Sequence, residues 1–208
     1  MKNIKQEAVT WGQLLLLVAI WSLVLFVTNT PLQINLEALK KLPEVVTIYT
    51  ILVFIFTKWL WRAPQLQGWL VPFPDLQGTW EGTLQTTWVN PNSKKIPPPI
   101  PLILVIRQTF DSINCTMYTK ESTSFSMAAS FTEDLGSGAK TLAYNYSNRP
   151  DASIRDRSAV HDGAALLTVV TKPKKELKGE YWTNRKTTGS IGLKFKTKEL
   201  LESFPNKI

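Results

Sequence analysis

Tyr181, Thr183 and Arg185 stand two residues apart in the stretch LKGEYWTNRKTTGSIGLKF, residues 177–195. In an extended strand such residues share a face, here together with Leu177 and Gly179. The opposite parity, Glu176, Lys178, Glu180, Asn184 and Lys186, is a face that water tolerates. An inward row of Tyr, Thr and Arg is uncommon, because a buried guanidinium must be paired or meet an anion. Arg185 stands nearest the turn expected at Lys186-Thr187-Thr188-Gly189, at the rim of whatever the strand lines. The row is read as facing an anionic ligand. The plainer reading is that the tyrosine is core packing and Arg185 an exposed strand end.

Other chemistry is sparse. His161 is the single histidine, which excludes a multi-histidine metal site or a paired-histidine mechanism. As a lone residue before Asp162-Gly163 it fits a surface loop, or a cap over a strand-lined cavity. Cys115 shares a parity with Ile113 and Met117, as a small core residue would, and allows no internal disulfide. The acidic residues Asp111, Glu133, Asp134, Asp151, Asp156 and Asp162 are scattered around turns. No phosphate-cradling glycine loop, nucleophile elbow or metal-spaced cluster occurs, so neither enzymatic activity nor a cofactor is expected. Tyr144, Tyr146, Tyr181 and Trp80 supply π-faces for stacking on bases. Arg185 suits a phosphate, and Thr183 and Thr187 supply hydroxyl donors.

The elements that must position these groups read as strands. Residues 78–88 (GTWEGTLQTTW) alternate Trp80, Gly82, Leu84, Thr86 and Trp88 against polar partners. Further strands are expected at 102–110, 113–120, a fourth marked by Phe125, Met127, Ala129 and Phe131, then 140–146, 164–171, 176–185 and 190–196. The proline-rich loop 90–101 is a rigid connection, 147–163 is a polar one, and 198–204 allows one short helical turn. Eight antiparallel strands with hairpin-length links predict an all-β, up-and-down β-barrel in the manner of lipocalins, the last strand closing on the first. A β-sandwich is the alternative.

Ahead of the barrel, residues 8–36 hold no charge, and 11–28 (WGQLLLLVAIWSLVLFVT) are almost wholly apolar. Eighteen helical residues reach roughly 27 Å, close to the hydrocarbon thickness, so a transmembrane α-helix is predicted over a signal peptide. A second span is predicted at 45–61, where Lys58 can snorkel and Trp59, Trp61 and Arg62 form an interfacial anchor. Five of the eight Trp lie before residue 70, at 11, 21, 59, 61 and 69. Lys2, Lys5, Lys58 and Arg62 outweigh Lys40 and Lys41, which puts both termini and the barrel in the cytoplasm. Residues 63–74 form a proline-stiffened linker, and 75–208 the soluble domain. The formal charge is +8 with a pI near 9.6, which suits an anionic partner or membrane surface.

Taken in order, GTWEG at 78–82, YNYSNRP at 144–150, HDG at 161–163 and LKGEYWTNRKTTG at 177–189 resemble one family across essentially the whole chain. It is the CBASS antiphage effectors built from two transmembrane helices and a cyclic-nucleotide-sensing β-barrel. The resemblance implies a cyclic dinucleotide or related oligonucleotide made by a partner nucleotidyltransferase, with no DNA or RNA polymer as partner. It further implies homo-oligomerisation on activation and disruption of the lipid bilayer of the bacterial inner membrane. It carries Tyr146, Asn148, His161, Tyr181, Thr183 and Arg185 to the ligand end. Two other classes stay open on the residues alone: a membrane-anchored carrier of a lipid or small apolar ligand, and a scaffolding barrel with a filled interior.

Overall fold

The structure is a computed structural model that describes residues 6–68, 70–134 and 136–205, without the side chains of 6–9. Lys2, Lys5 and Trp69, used above for orientation and interfacial anchoring, lie outside the described residues. The chain forms two compact units, 1–74 and 75–208.

In the first unit, α1 (Gln6–Val27) and α3 (Leu42–Lys58) flank a short α2 (Leu36–Lys40). Asn35 caps α2 by accepting from Ala38 N at 2.8 Å. Ile20 and Val24 of α1 pack on Val45 of α3, with Leu17, Trp21 and Tyr49 around them. Among the described residues one helix is long and apolar enough to cross a membrane, over Thr10–Val27 with mean hydropathy 2.1. The expectation of two spans is thus met by length at α1 only. The 17 residues of α3 rise about 25 Å, against about 30 Å of hydrocarbon. Pro64–Leu66 forms one 3-10 turn in the linker, and Trp61 packs on Phe73 with ring centroids 5.7 Å apart.

The second unit is a closed antiparallel barrel of eight strands in sequence order, which settles the choice against a sandwich. They are β1 (Gly78–Thr86), β2 (Ile100–Gln108), β3 (Ile113–Thr119), β4 (Ser122–Glu133), β5 (Lys140–Pro150), β6 (His161–Val170), β7 (Glu176–Thr183) and β8 (Thr188–Thr197). β8 closes on β1 through eight register pairs from Thr79↔Thr197 to Thr86↔Gly189. Trp80, Leu104, Leu142, Leu167, Leu177 and Leu193 fill the interior, each no more than 2% exposed. Trp80 Nε1 donates to Leu76 O at 2.9 Å, and its ring meets Phe195 edge-on at 5.3 Å. Residues 198–204 are not a helical turn; they bend at 198–199 and 202–203 and are tied to β1 at Thr79, whose Oγ1 donates to Glu199 O at 2.6 Å and accepts from Leu201 N at 3.2 Å. This contact satisfies backbone groups that a lone helical turn would leave unpaired.

Three corrections concern the strands that carry or adjoin the expected site residues. First, the polar connection shrinks at both ends, because β5 runs on to Pro150 and β6 already starts at His161. Second, β4 carries a bulge between Ser126 and Ala128. Phe125 and Met127 therefore do not share the inward face of Phe131: they are 45% and 63% exposed, against 4%. Third, β7 ends at Thr183, so Arg185 leaves the inward row and stands exposed in the turn. Thr183 N donates to Thr187 O and Lys186 N to Thr183 O, which closes that turn, with Lys186 at φ 62°.

Candidate ligand site

Because the barrel is closed, its register stacks inward-facing residues in layers. In the lowest of three, Tyr144 faces Ala165, which faces Tyr181, which faces Gly189, which faces Thr86. In the next, Tyr146 faces Gly163, which faces Thr183. At the rim, Ser124 faces Asn148, which faces His161. All six residues singled out above, Tyr146, Asn148, His161, Tyr181, Thr183 and Arg185, therefore gather at one end of the barrel, the end holding the β3–β4, β5–β6 and β7–β8 turns.

Two glycines make room for the tyrosine rings. A Cβ on Gly163 would stand 2.5 Å from Tyr146 Oη, and one on Gly189 would stand 2.6 Å from the Tyr181 ring and 2.2 Å from Gln85 O. Tyr146 and Tyr181 are each 7% exposed. Burial pushes both phenols above their ordinary value, with Thr86 hydrogen-bonded to Tyr181 and pulling the other way. Both are neutral hydroxyls at physiological pH, able to donate and accept. In the same layer as Tyr181, and one layer below Tyr146, Tyr144 is buried, and among the described residues its Oη has no partner. Its ring centroid lies 6.0 Å from that of Tyr146. Cys115 is buried and its thiol is pushed up to about 12, so it is a neutral packing residue.

The rim holds two hydrogen-bonded groups, Ser124–Asn148 and Arg185–His161–Ala159, which abut where Asn148 meets His161. Ser124 Oγ donates to Asn148 Oδ1 at 2.8 Å, both side chains being buried. Asn148 Nδ2 approaches His161 Nδ1 at 3.5 Å, and that nitrogen is 3.0 Å from Ala159 O. Arg185 Nη2 lies 3.4 Å from His161 Nε2, and Nη1 donates to Ala159 O at 3.3 Å. A guanidinium has no acceptor, so Nε2 accepts and the proton sits on Nδ1, donating to Ala159 O. His161 is thus the neutral tautomer. Its pKa is lowered, first by burial and then by the Arg185 charge, against the Ala159 carbonyl and Asp162. Thr183 Oγ1 and Thr187 Oγ1 are 2.6 Å apart, and the Thr183 hydroxyl also accepts from Arg185 N at 3.3 Å. That bond braces the turn from which Arg185 projects.

The arrangement is a basic, hydroxyl-rich rim over a neutral aromatic floor. Such a combination can meet phosphate oxygens above and π-faces below. The sequence reading missed Ser124, which orients Asn148, and the two glycines that seat the tyrosines. Gly163 and Gly189 were visible as residues in the quoted motifs, but only cross-strand register shows which ring each one faces.

Residues 71–195 match the family described as Cap15, cyclic dinucleotide receptor domain. A Staphylococcus schleiferi protein described as CD-NTase-associated protein 15 is 30% identical over 149 residues, 72% of this chain and 75% of its own. A protein of the same description from Escherichia albertii is 27% identical over 148 residues, 71% of this chain and 73% of its own. The match takes in every strand that builds the rim and the tyrosine floor, and the chain belongs to the family of CBASS antiphage effectors that carry the Cap15 cyclic dinucleotide receptor domain.

Proposed function

We propose that the rim-and-tyrosine end of the barrel binds a cyclic dinucleotide, or a related cyclic oligonucleotide, supplied by a partner nucleotidyltransferase. Binding drives self-association of the chain. The apolar helices α1 and α3 then breach the bacterial inner membrane and kill the infected cell, the barrel standing on the cytoplasmic side. The chain catalyses nothing in this scheme and needs no cofactor. Two phosphates and two bases are the chemistry that Arg185 and the tyrosines suit, respectively.

The observation that carries this reading is the convergence of Tyr146, Asn148, His161, Tyr181, Thr183 and Arg185 at one barrel end. Among the described residues no carboxylate pairs with Arg185; it rests on a carbonyl and a neutral imidazole. An exposed guanidinium held in place yet unneutralised is suited to a phosphate. The carrier alternative has less in its favour, since large apolar side chains already fill the lower barrel.

The test is thermal unfolding of the full chain in detergent against a panel of cyclic di- and trinucleotides. At ligand concentrations near 100 Kd, stabilisation of about 2.7 kcal/mol is expected. Arg185→Ala should abolish that shift while leaving the unliganded melting temperature unchanged, because the side chain is exposed. A variant that binds the nucleotide as tightly as the parent would overturn the site.

A further inference from the structure

The end of the barrel opposite the ligand site carries an uncompensated group of lysines. Lys172, Lys174 and Lys175 lie in the β6–β7 loop and Lys194 on β8, and all four are exposed. Three neighbours, Lys178, Lys196 and Lys198, are ion-paired with Glu176, Glu81 and Asp75. Among the described residues no ion pair joins an acidic residue to the first four; Lys174 and Lys194 lend Glu176 only a weak share of its stabilisation as a carboxylate, behind the Lys178 hydrogen bond. The loop is fixed to the barrel end: Phe195 N donates to Lys175 O at 3.1 Å. The ammonium groups of Lys175 and Lys198 both stand over the Phe195 ring, at 5.5 and 6.0 Å. The other side of the same end is acidic, with Asp111, Glu133 and Asp134 beside Lys140. The basic character is therefore confined to the β6–β8 sector.

This is also the end where the chain enters the barrel, since Gly78 opens β1 next to Thr197 and Phe195 of β8. Residues 63–77 connect it to the helical unit, a linker of at most about 50 Å even if fully extended. We infer that the β6–β8 sector docks on anionic lipid headgroups of the bilayer that holds α1, with Lys172, Lys174, Lys175 and Lys194 as the contacts. The inference rests on the membrane reading above. An anionic leaflet attracts lysine near its surface strongly enough that each contributes about a five-fold gain in occupancy of the docked state, screened within about 10 Å at moderate salt. Four unpaired lysines amount to several hundred-fold. Docking by this end leaves the ligand site pointing away from the bilayer, open to a soluble nucleotide.

The experiment uses the full chain in proteoliposomes of phosphatidylcholine alone or with about a third phosphatidylglycerol. Hydrogen exchange is read at residues 171–178 and 192–198, with the β4–β5 turn as internal control. Protection should rise at least ten-fold on the anionic bilayer, at the first two segments and not at the control, and should vanish in high salt. Combined Lys172→Gln, Lys174→Gln, Lys175→Gln and Lys194→Gln substitution should remove it without changing cyclic dinucleotide affinity. Equal protection on both bilayers, or protection that survives the four substitutions, overturns the docking inference. Protection by added RNA as strong as that by the anionic bilayer overturns it in favour of a polymer partner. A chain washed off the vesicles by alkaline carbonate overturns the membrane reading as well, which separates the two failures.

Discussion

Arg185 donates to His161 Nε2, and that direction makes the histidine a reporter of charge at the rim. The Arg185 guanidinium and burial both disfavour the imidazolium, so its pKa lies below the ordinary 6.5. The charged groups that act on it are Arg185 and Asp162, and Asn148 and the Ala159 carbonyl are its neutral neighbours. A depressed folded value favours the folded state at pH above 6.5, where histidine is neutral in both states. That contribution is lost as pH falls from 6.5 through the folded value. The unliganded chain should therefore lose melting temperature between pH 7 and 5.5 relative to His161→Gln. Binding a phosphate here reverses the balance, because the anion favours the imidazolium and frees Arg185 from competing for Nε2. Nucleotide affinity should accordingly rise as pH drops from 7.5 to 6, by several-fold, with proton uptake on binding. Calorimetry in two buffers of different ionisation enthalpy measures that uptake. A pH-independent affinity in the parent chain, equal to that of His161→Gln, would remove His161 from the phosphate's surroundings.

At the level of strands, the tyrosine floor depends on positions that lack a side chain. A methyl group at Gly189 would meet Gln85 O at 2.2 Å and Thr86 Cα at 2.9 Å, both backbone atoms of β1 that cannot swing away. Gly189→Ala should thus cost about 3 kcal/mol or more, near the upper end for overpacking, by forcing the β1–β8 seam apart. At Gly163 the first obstacle is the Tyr146 hydroxyl at 2.5 Å, the end of a side chain, backed by Trp182 O at 2.6 Å. Gly163→Ala should cost less stability, because one of its two close obstacles is a side-chain end that can move, while each variant displaces one ring of the floor and weakens nucleotide binding. Urea unfolding and calorimetric affinity on the two variants give the comparison; equal stability losses would contradict it. The same strands show what sequence could reveal. Alternation of the kind seen around Trp80, Tyr144 and Tyr181 was enough to count eight strands, since one buried parity per strand is a local property, but closure against a sandwich took the β1–β8 pairing. The bulge at Ser126/Ala128 was not legible, because Phe125, Met127 and Phe131 have the spacing of one face and only pairing with β5 shows the extra residue. Arg185 was misread for a related reason. Parity extends a face only while the strand lasts, and the Thr183–Thr187 hydrogen bonds end it two residues early.

Over the whole chain, sensing and membrane action are assigned to separate units joined by a short linker, so one should be removable without the other. α1 holds eleven Leu, Ile, Val and Phe within Thr10–Val27. At about 0.3–0.6 kcal/mol each for insertion, these supply roughly 5 kcal/mol. Leu15 and Val18 are exposed on the helix, at 69% and 59%, so neither supports the packing of Ile20 and Val24 on Val45. Replacing both with arginine removes about 1 kcal/mol of that driving force and adds about 5–7 kcal/mol of cost at the helix centre. The balance then turns against insertion. Because α3 is only 17 residues long, it should not hold the chain in the bilayer by itself. The doubly substituted chain is expected in the soluble fraction after cell lysis, with its cyclic dinucleotide affinity within about two-fold of the parent. It should also lose toxicity when the nucleotide is supplied. Full toxicity from a chain that no longer pellets with membranes would mean that the barrel kills by a route independent of α1. Loss of nucleotide binding in that chain would mean instead that the helical unit helps to build the site. Separation of the two activities is the outcome that a barrel closed by pairing among its own eight strands favours.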